Sequence, residues 1–279
     1  MQFAYRKALM GAASLVIVSG FTSSAQAQDQ DWTGFYAGGH VGGMPQLDED
    51  DETLLFDTDL NGEYGDTVRT MAGDDAFSPG FCGGGALGAT PGAGCDEDEF
   101  GVEAGVRLGY DRQFGPIVIG GLVEGSAVSI EDSVTGYSTT PASYTATRDL
   151  DYLAAVRLRA GYAFGPNLAY ATGGYAWGKL DQKFVTSNGA SSFAQNDVDD
   201  ADGWQLGGGV ERKVADNLSI GLEYLYTRLE PDAYNVRVGQ GSAPDTNPFL
   251  LVNEAGTDLT RSNEDFDVQS VRLTAAYRF

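Results

Sequence analysis

The chain has 279 residues and a formal net charge of −23. So acidic a polypeptide excludes nucleic acid and anionic lipid surfaces as partners and favours divalent cations. Abundant Gly, frequent Tyr and Phe, and few Lys or Arg exclude a protein built from long Ala-, Glu-, Lys- and Leu-rich helices.

Arg6 and Lys7 precede an apolar run from Ala8 to about Val18, and a polar segment follows, ending in Ala25-Gln26-Ala27. The run is shorter than the ~20 apolar residues of a membrane-spanning helix, and the A-x-A triplet suits a signal peptidase. Residues 1–27 are therefore read as a signal peptide, with the mature domain at 28–279 and a net charge of about −25 once Arg6 and Lys7 are lost.

Apolar and polar residues then alternate in eight runs: Trp32–Gly43, Phe100–Gln113, Pro116–Val128, Leu150–Phe164, Leu168–Gln182, Gly203–Val214, Leu218–Arg228 and Asp267–Phe279. Their length suits a tilted bilayer crossing of about 9 to 11 residues. Tight turns at Arg112–Gly115, Gly165–Asn167 and Ala215–Asn217 alternate with long connections at Met44–Glu99, Ile130–Asp149, Lys183–Asp202 and Leu229–Phe266. That asymmetry predicts an all-β, transmembrane antiparallel up-and-down barrel of about eight strands, with short periplasmic turns and long extracellular loops. An extra hairpin in the first or last long loop could lengthen the strands or raise their number.

Lipid sorts the two faces of each strand. On the second run Phe100, Val102, Ala104, Val106, Leu108 and Tyr110 oppose Glu103 and Arg107; on the fourth, Leu150 to Tyr162 at every second position oppose Asp151, Arg157 and Arg159. An Arg or Lys facing lipid at mid-depth costs about 2–4 kcal/mol, so the charged face must be the lumen. The expected interior set is Glu103, Glu124, Glu211 and Glu223 against Arg107, Arg157, Arg159 and Arg272, paired because isolated buried charges are too costly. Eight strands enclose just enough space for side chains. A plugged lumen and a narrow or gated polar pathway through the same network are the two readings. Tyr36, Tyr110, Tyr162, Tyr170, Tyr224, Tyr226, Tyr277, Trp177 and Trp204 suit interfacial girdles, though some could fill the lumen.

The first loop, 44–99, is acidic at Asp48–Glu52 and Asp96–Glu99. In it Asp57, Asp59, Asn61 and Gly62 follow the D-x-D-x-N-G spacing of a calcium loop, but Val68 stands where the bidentate Glu belongs. Cys82 and Cys95, in an exported chain, are expected to form a disulfide worth about 3 kcal/mol in the chain-entropy picture. Two widely spaced cysteines without a nearby His make neither half of a zinc site. The single histidine, His40, points into the lumen by parity. No motif marks a serine partner, so no enzyme is expected; His40 bonded to both a Ser and a carboxylate would reopen the question. Glycine clusters 83–85 and 207–209 lack the strand-to-helix context of a nucleotide loop.

The segments WTGFYAGGHVGG (Trp32–Gly43), LAYATGGYAWGKL, GLEYLYTRL and VRLTAAYRF (Val271–Phe279) resemble the small outer-membrane barrel proteins of alphaproteobacteria, the porin-like or outer-membrane immunogenic proteins within the OmpA/OmpX-like group. The resemblance covers the eight strands but not the long loops, and the first loop is unusually long and acidic. It implies an outer-membrane location and a C-terminal signal, here Phe279, Tyr277, Ala275 and Leu273, read by the barrel-assembly machinery; the residues themselves point to no cofactor beyond a calcium ion at Asp57, Asp59 and Asn61. Fold leaves activity open. The expected role is a structural envelope barrel with lipid, lipopolysaccharide and divalent ions as partners. A small diffusion pore and an adhesin acting through the long loops are the alternatives, and the oligomeric state is left open.

Overall fold

The computed structural model describes residues 31–45, 52–96, 98, 100–196 and 198–279. The expected signal peptide and the acidic positions 48–51, 97 and 99 lie outside the described residues. Eight long antiparallel strands form the wall: β1 (Gly34–Met44), β2 (Gly101–Phe114), β3 (Ile117–Ser138), β4 (Ala142–Phe164), β5 (Asn167–Thr186), β6 (Asp200–Lys213), β7 (Leu218–Pro231) and β8 (Phe266–Arg278). Each pairs with its sequence neighbours, and β8 pairs with β1 from Tyr36↔Arg278 to Gly43↔Val271, so the sheet meets its own first strand and closes. Closure leaves no wall strand with unpaired backbone groups facing lipid.

The turns at one rim follow from local chemistry. Phe114 pairs with Ile117 across Gly115-Pro116, and Gly115 has φ +59°, which an L side chain resists. Positive φ at the first central position followed by proline fits the II′ hairpin that matches strand twist. Gly165-Pro166 repeats the device, with φ +58° at Gly165.

The opposite rim departs from expectation. Residues 130–149, read as a loop, are the upper halves of β3 and β4, which run in register to Ser138↔Ala142. At 23 residues and about 3.3 Å per residue, β4 is about 75 Å long, roughly twice what a bilayer crossing requires. The upper halves are folded on by the other loops. Strands 192–195, 236–239, 257–261 and 54–57 make a four-stranded antiparallel sheet in that order, and Gly80–Gly83 adds to the edge of β3. Leu54, Phe56, Phe77, Tyr144, Val236 and Phe249 share its apolar core. The described residues of the three remaining long loops thus form a cap with a core of its own.

The two faces of the wall separate sharply: Leu158 is 73% exposed and its neighbour Arg157 is 0% exposed. One stretch inverts the expected parity. A register shift between Leu150 and Tyr152 turns Leu150 inward, fully buried, and sets Asp151 outside beside Lys179 at 3.6 Å. A bulge inserts one residue and so flips every side chain beyond it. Tyr36 and Tyr170 also sit inside, whereas Tyr110, Tyr162, Tyr224, Tyr277, Trp177 and Trp204 are exposed on the outer wall.

Candidate functional site

The lumen is filled in layers. In the middle, three carboxylates face three guanidiniums. Arg272 on β8 grips Glu103 with Nε and Nη2 at 2.7 and 2.8 Å and reaches Glu124 with Nη1 at 2.7 Å. Arg157 Nη2 donates to Glu124 at 2.6 Å and to Glu223 at 3.2 Å, and Arg107 Nη1 lies 3.5 Å from Glu223. The Tyr170 hydroxyl donates to Glu223 at 2.8 Å. Each Arg comes from a different strand from its carboxylates, so the network cross-braces the cylinder.

Nearer the short-turn rim, Arg159 forks onto Asp111 and reaches Glu211 at 3.0 Å. Arg278 binds the same Asp111 at 2.8 Å and the Trp32 carbonyl at 2.6 Å. The Tyr36 ring lies between these two guanidiniums, 4.8 and 5.0 Å from its centroid, and Trp32 beneath is fully buried. All eight charges expected inside are thus found there, in two layers. Asp111 and Arg278 were missed; parity from Arg107 and Arg272 reaches both, but their place at the turn and the C-terminus hid them.

The glycines of the inward face make room for these groups. A Cβ on Gly109 would sit inside the Tyr36 ring, and one on Gly120 would meet the Asp111 carboxylate. Above the charged layers, Met44, Ile130, Leu150, Leu180, Leu229 and Phe266 form a buried apolar cluster. Above that again, outside the lipid-facing band, Arg261 from the last loop clasps Glu52 from the first at 2.7 and 2.5 Å and Asp132 at 2.7 Å. Arg148 adds bonds to Asp132 at 3.0 and 2.6 Å. Burial raises the Asp132 carboxyl, but the two guanidiniums overcome it and hold it below its ordinary value.

His40 is buried, with Nε2 2.9 Å from Ser126 Oγ and 4.0 Å from Glu103. Ser and carboxylate address the same ring nitrogen, while Nδ1 has no hydrogen-bond partner among the described residues. A relay needs the base held by the carboxylate on one nitrogen and the nucleophile on the other, so this trio is not one.

In the cap, Cys82 and Cys95 form the disulfide. The acidic loop brings Asp57, Asp59 and Asp66 within 4.8 Å of one another. Asn61, expected beside them as a ligand, accepts from the Glu63 N–H at 2.7 Å and donates to Asp59. Asp57 accepts from the N–H groups of Asn61 and Gly62, which caps the turn from within. Tyr277 and Phe279 lie exposed on the outer wall with rings 5.3 Å apart, and Phe279 N–H bonds Phe35 O where the cylinder closes.

Comparison with known proteins agrees with this architecture. The chain is 30% identical over 131 residues to the 31 kDa outer-membrane immunogenic protein of Brucella melitensis, covering 46% of this chain and 54% of that one. It is 31% identical over 150 residues to the 22 kDa outer membrane protein of Rhizobium leguminosarum, covering 53% and 63%. The chain thus spans about half to two thirds of the length of these relatives. Among solved structures, the outer membrane protein OprG from Pseudomonas aeruginosa aligns over 90% of this chain and 97% of its own, with 12% identity and a TM-score of 0.49. The family model for the outer membrane protein beta-barrel domain matches residues 13–279, and the chain, an outer-membrane protein of the cell envelope, belongs to that family.

Proposed function

We propose that this protein is a structural barrel of the outer membrane, with a non-conducting lumen, that holds an ordered cap at the cell surface. The observation that carries the reading is the apolar layer around Leu150, Leu229 and Phe266, stacked on charged layers in which every carboxylate has a guanidinium partner. An ion moving along the axis would have to shed its water against aliphatic side chains, a barrier that gates by dewetting. Planar-bilayer recording of the refolded protein is expected to show no steps; reproducible single-channel steps would overturn the reading.

A narrow polar pathway has one observation in its favour. Arg107 and Arg157 each keep two guanidinium nitrogens without a hydrogen-bond partner among the described residues, which suits internal hydration of the middle layer. Such a path would end at the apolar layer. The partners that fit the structural role are membrane lipid, lipopolysaccharide, and the divalent cations that join an acidic surface to its phosphates.

A further inference from the structure

At the outermost tip of the cap, four loops converge on a cleft of about 390 Å³. Its walls are residues 138–142 at the β3–β4 turn, 187–191 after β5, and 243, 244 and 246–249 of the last loop, with Ala76 and Phe77 of the first; Asp245 lies outside the lining and accepts from Gln240. Nineteen residues line it and, among the described residues, none is charged, in a chain of which 20% is charged and whose net charge is −23. A neutral pocket on so acidic a surface does not select by charge. Its recognising groups are hydroxyls, among them those of Thr139, Thr140 and Thr246, which both donate and accept, set above an apolar floor that includes Phe77, Tyr144 and Phe249.

The walls are held in place before any ligand arrives. Asn188 Nδ2 donates to the Tyr144 hydroxyl at 3.0 Å and to Ser191 Oγ at 3.2 Å, and Asn247 Nδ2 donates to the same Ser191 Oγ at 2.9 Å. The Ser242 N–H bonds Ala190 O at 2.7 Å, tying the third and fourth loops together. A preformed site spends little binding energy on ordering itself. The volume falls at the small end of ligand pockets, about 300–1,000 Å³.

We infer that this tip cleft is a binding site for one or two units of a neutral sugar. A pyranose presents C–H faces to an apolar floor and a rim of hydroxyls that each donate and accept, matching the lining in both respects. An ionic ligand finds no counter-charge there, and an uncharged peptide offers fewer paired donors and acceptors at that size. The inference goes beyond the structural role above and stands whether or not the lumen conducts. The sugar could belong to the cell's own lipopolysaccharide or to a foreign glycan; the chemistry is shared.

The test uses the refolded full-length protein in detergent micelles against immobilised neutral oligosaccharides, matched sialylated and sulfated forms, polysaccharide from the producing cell, and a panel of uncharged peptides. Thr246 and Ala190 line the cleft and are exposed, so Thr246→Trp and Ala190→Trp fill it without disturbing the core. Met71→Trp, at an exposed position outside the lining, is the control. Binding to one or more neutral glycans, weakened at least tenfold by either filling variant and unchanged in the control, is the expected result, and its pattern across the two glycan sources names the origin. Failure of every neutral glycan, equal binding of the acidic forms, binding confined to peptides, or undiminished binding by both filling variants would overturn the inference.

Discussion

The charged side chains inside the barrel are coupled, so the cost of changing one depends on what it leaves behind. Arg272 contacts Glu103 and Glu124 directly and is fully buried. Arg272→Met keeps the stem but strands two carboxylates in a low-dielectric interior, and removing one partner of such a pair costs about 3–5 kcal/mol. Guanidinium unfolding in lipid bilayers is expected to show that loss, with part of it regained in Arg272→Met/Glu103→Gln; equal stability of the parent and Arg272→Met would mean water enters the layer freely. Gly109 offers a steric counterpart. Its missing Cβ is what lets Tyr36 lie between Arg159 and Arg278, so Gly109→Ala is expected to destabilise by about 1–3 kcal/mol through overpacking. The same unfolding assay should show recovery when Tyr36→Leu is added.

Among elements, the segment carrying the disulfide docks on β3 through Asp98, whose carboxylate accepts the Ser133 N–H at 3.1 and 3.2 Å. Burial first, with Asp132 and Glu131 nearby, pushes its carboxyl up to about 7 from the ordinary 3.8. The folded form therefore holds its proton more tightly than the unfolded chain. Its contribution to docking is fully present below about pH 4 and is lost as pH rises through about 7. The protection of the Ser133 amide, its exchange rate corrected for the intrinsic pH dependence, is expected to fall over that interval and to become independent of pH in Asp98→Asn; a constant protection in the parent would discount the Asp98 contribution. The wall strands were legible in the sequence because lipid imposes a strict period of two, as at Val106, Leu108 and Tyr110. That constraint ends at the headgroups. Beyond it, Val134 and Tyr144 pack on loop residues such as Phe77, while on the other face Thr135 and Thr145 bond each other at 2.7 Å and the Tyr137 hydroxyl donates to Gly94 O at 3.2 Å. Both faces of the upper β3–β4 hairpin meet protein, so the polar-apolar alternation that marked the other strands is absent and residues 130–149 read as a loop. Leu150 was misplaced for a related reason, since no pattern in composition announces a one-residue bulge.

For the whole molecule, a charged junction joins the cap to the wall, and on the proposed reading the barrier to ions lies below it. Arg261 holds Glu52 and Asp132, and Arg148 shares Asp132 and bonds the carbonyls of Asn263 and Asp265 at 3.1 and 3.0 Å. The clasp therefore gathers the first and last loops onto the β3–β4 hairpin above the bore. Arg261→Ala removes the group common to both loops and leaves Glu52 buried, so the cap should loosen, seen as faster protease cleavage within 52–99 and 232–265. The apolar layer of Leu150, Leu229 and Phe266 and the charged layers beneath belong to the wall strands; Arg148 lies over the Phe266 ring at 5.2 Å, but Arg261 contacts none of the three. Planar-bilayer current through Arg261→Ala is accordingly expected to stay at background even as cleavage accelerates. Current steps appearing with the loosened cap would locate the barrier in the loops, and the wall would then be an open conduit with a lid.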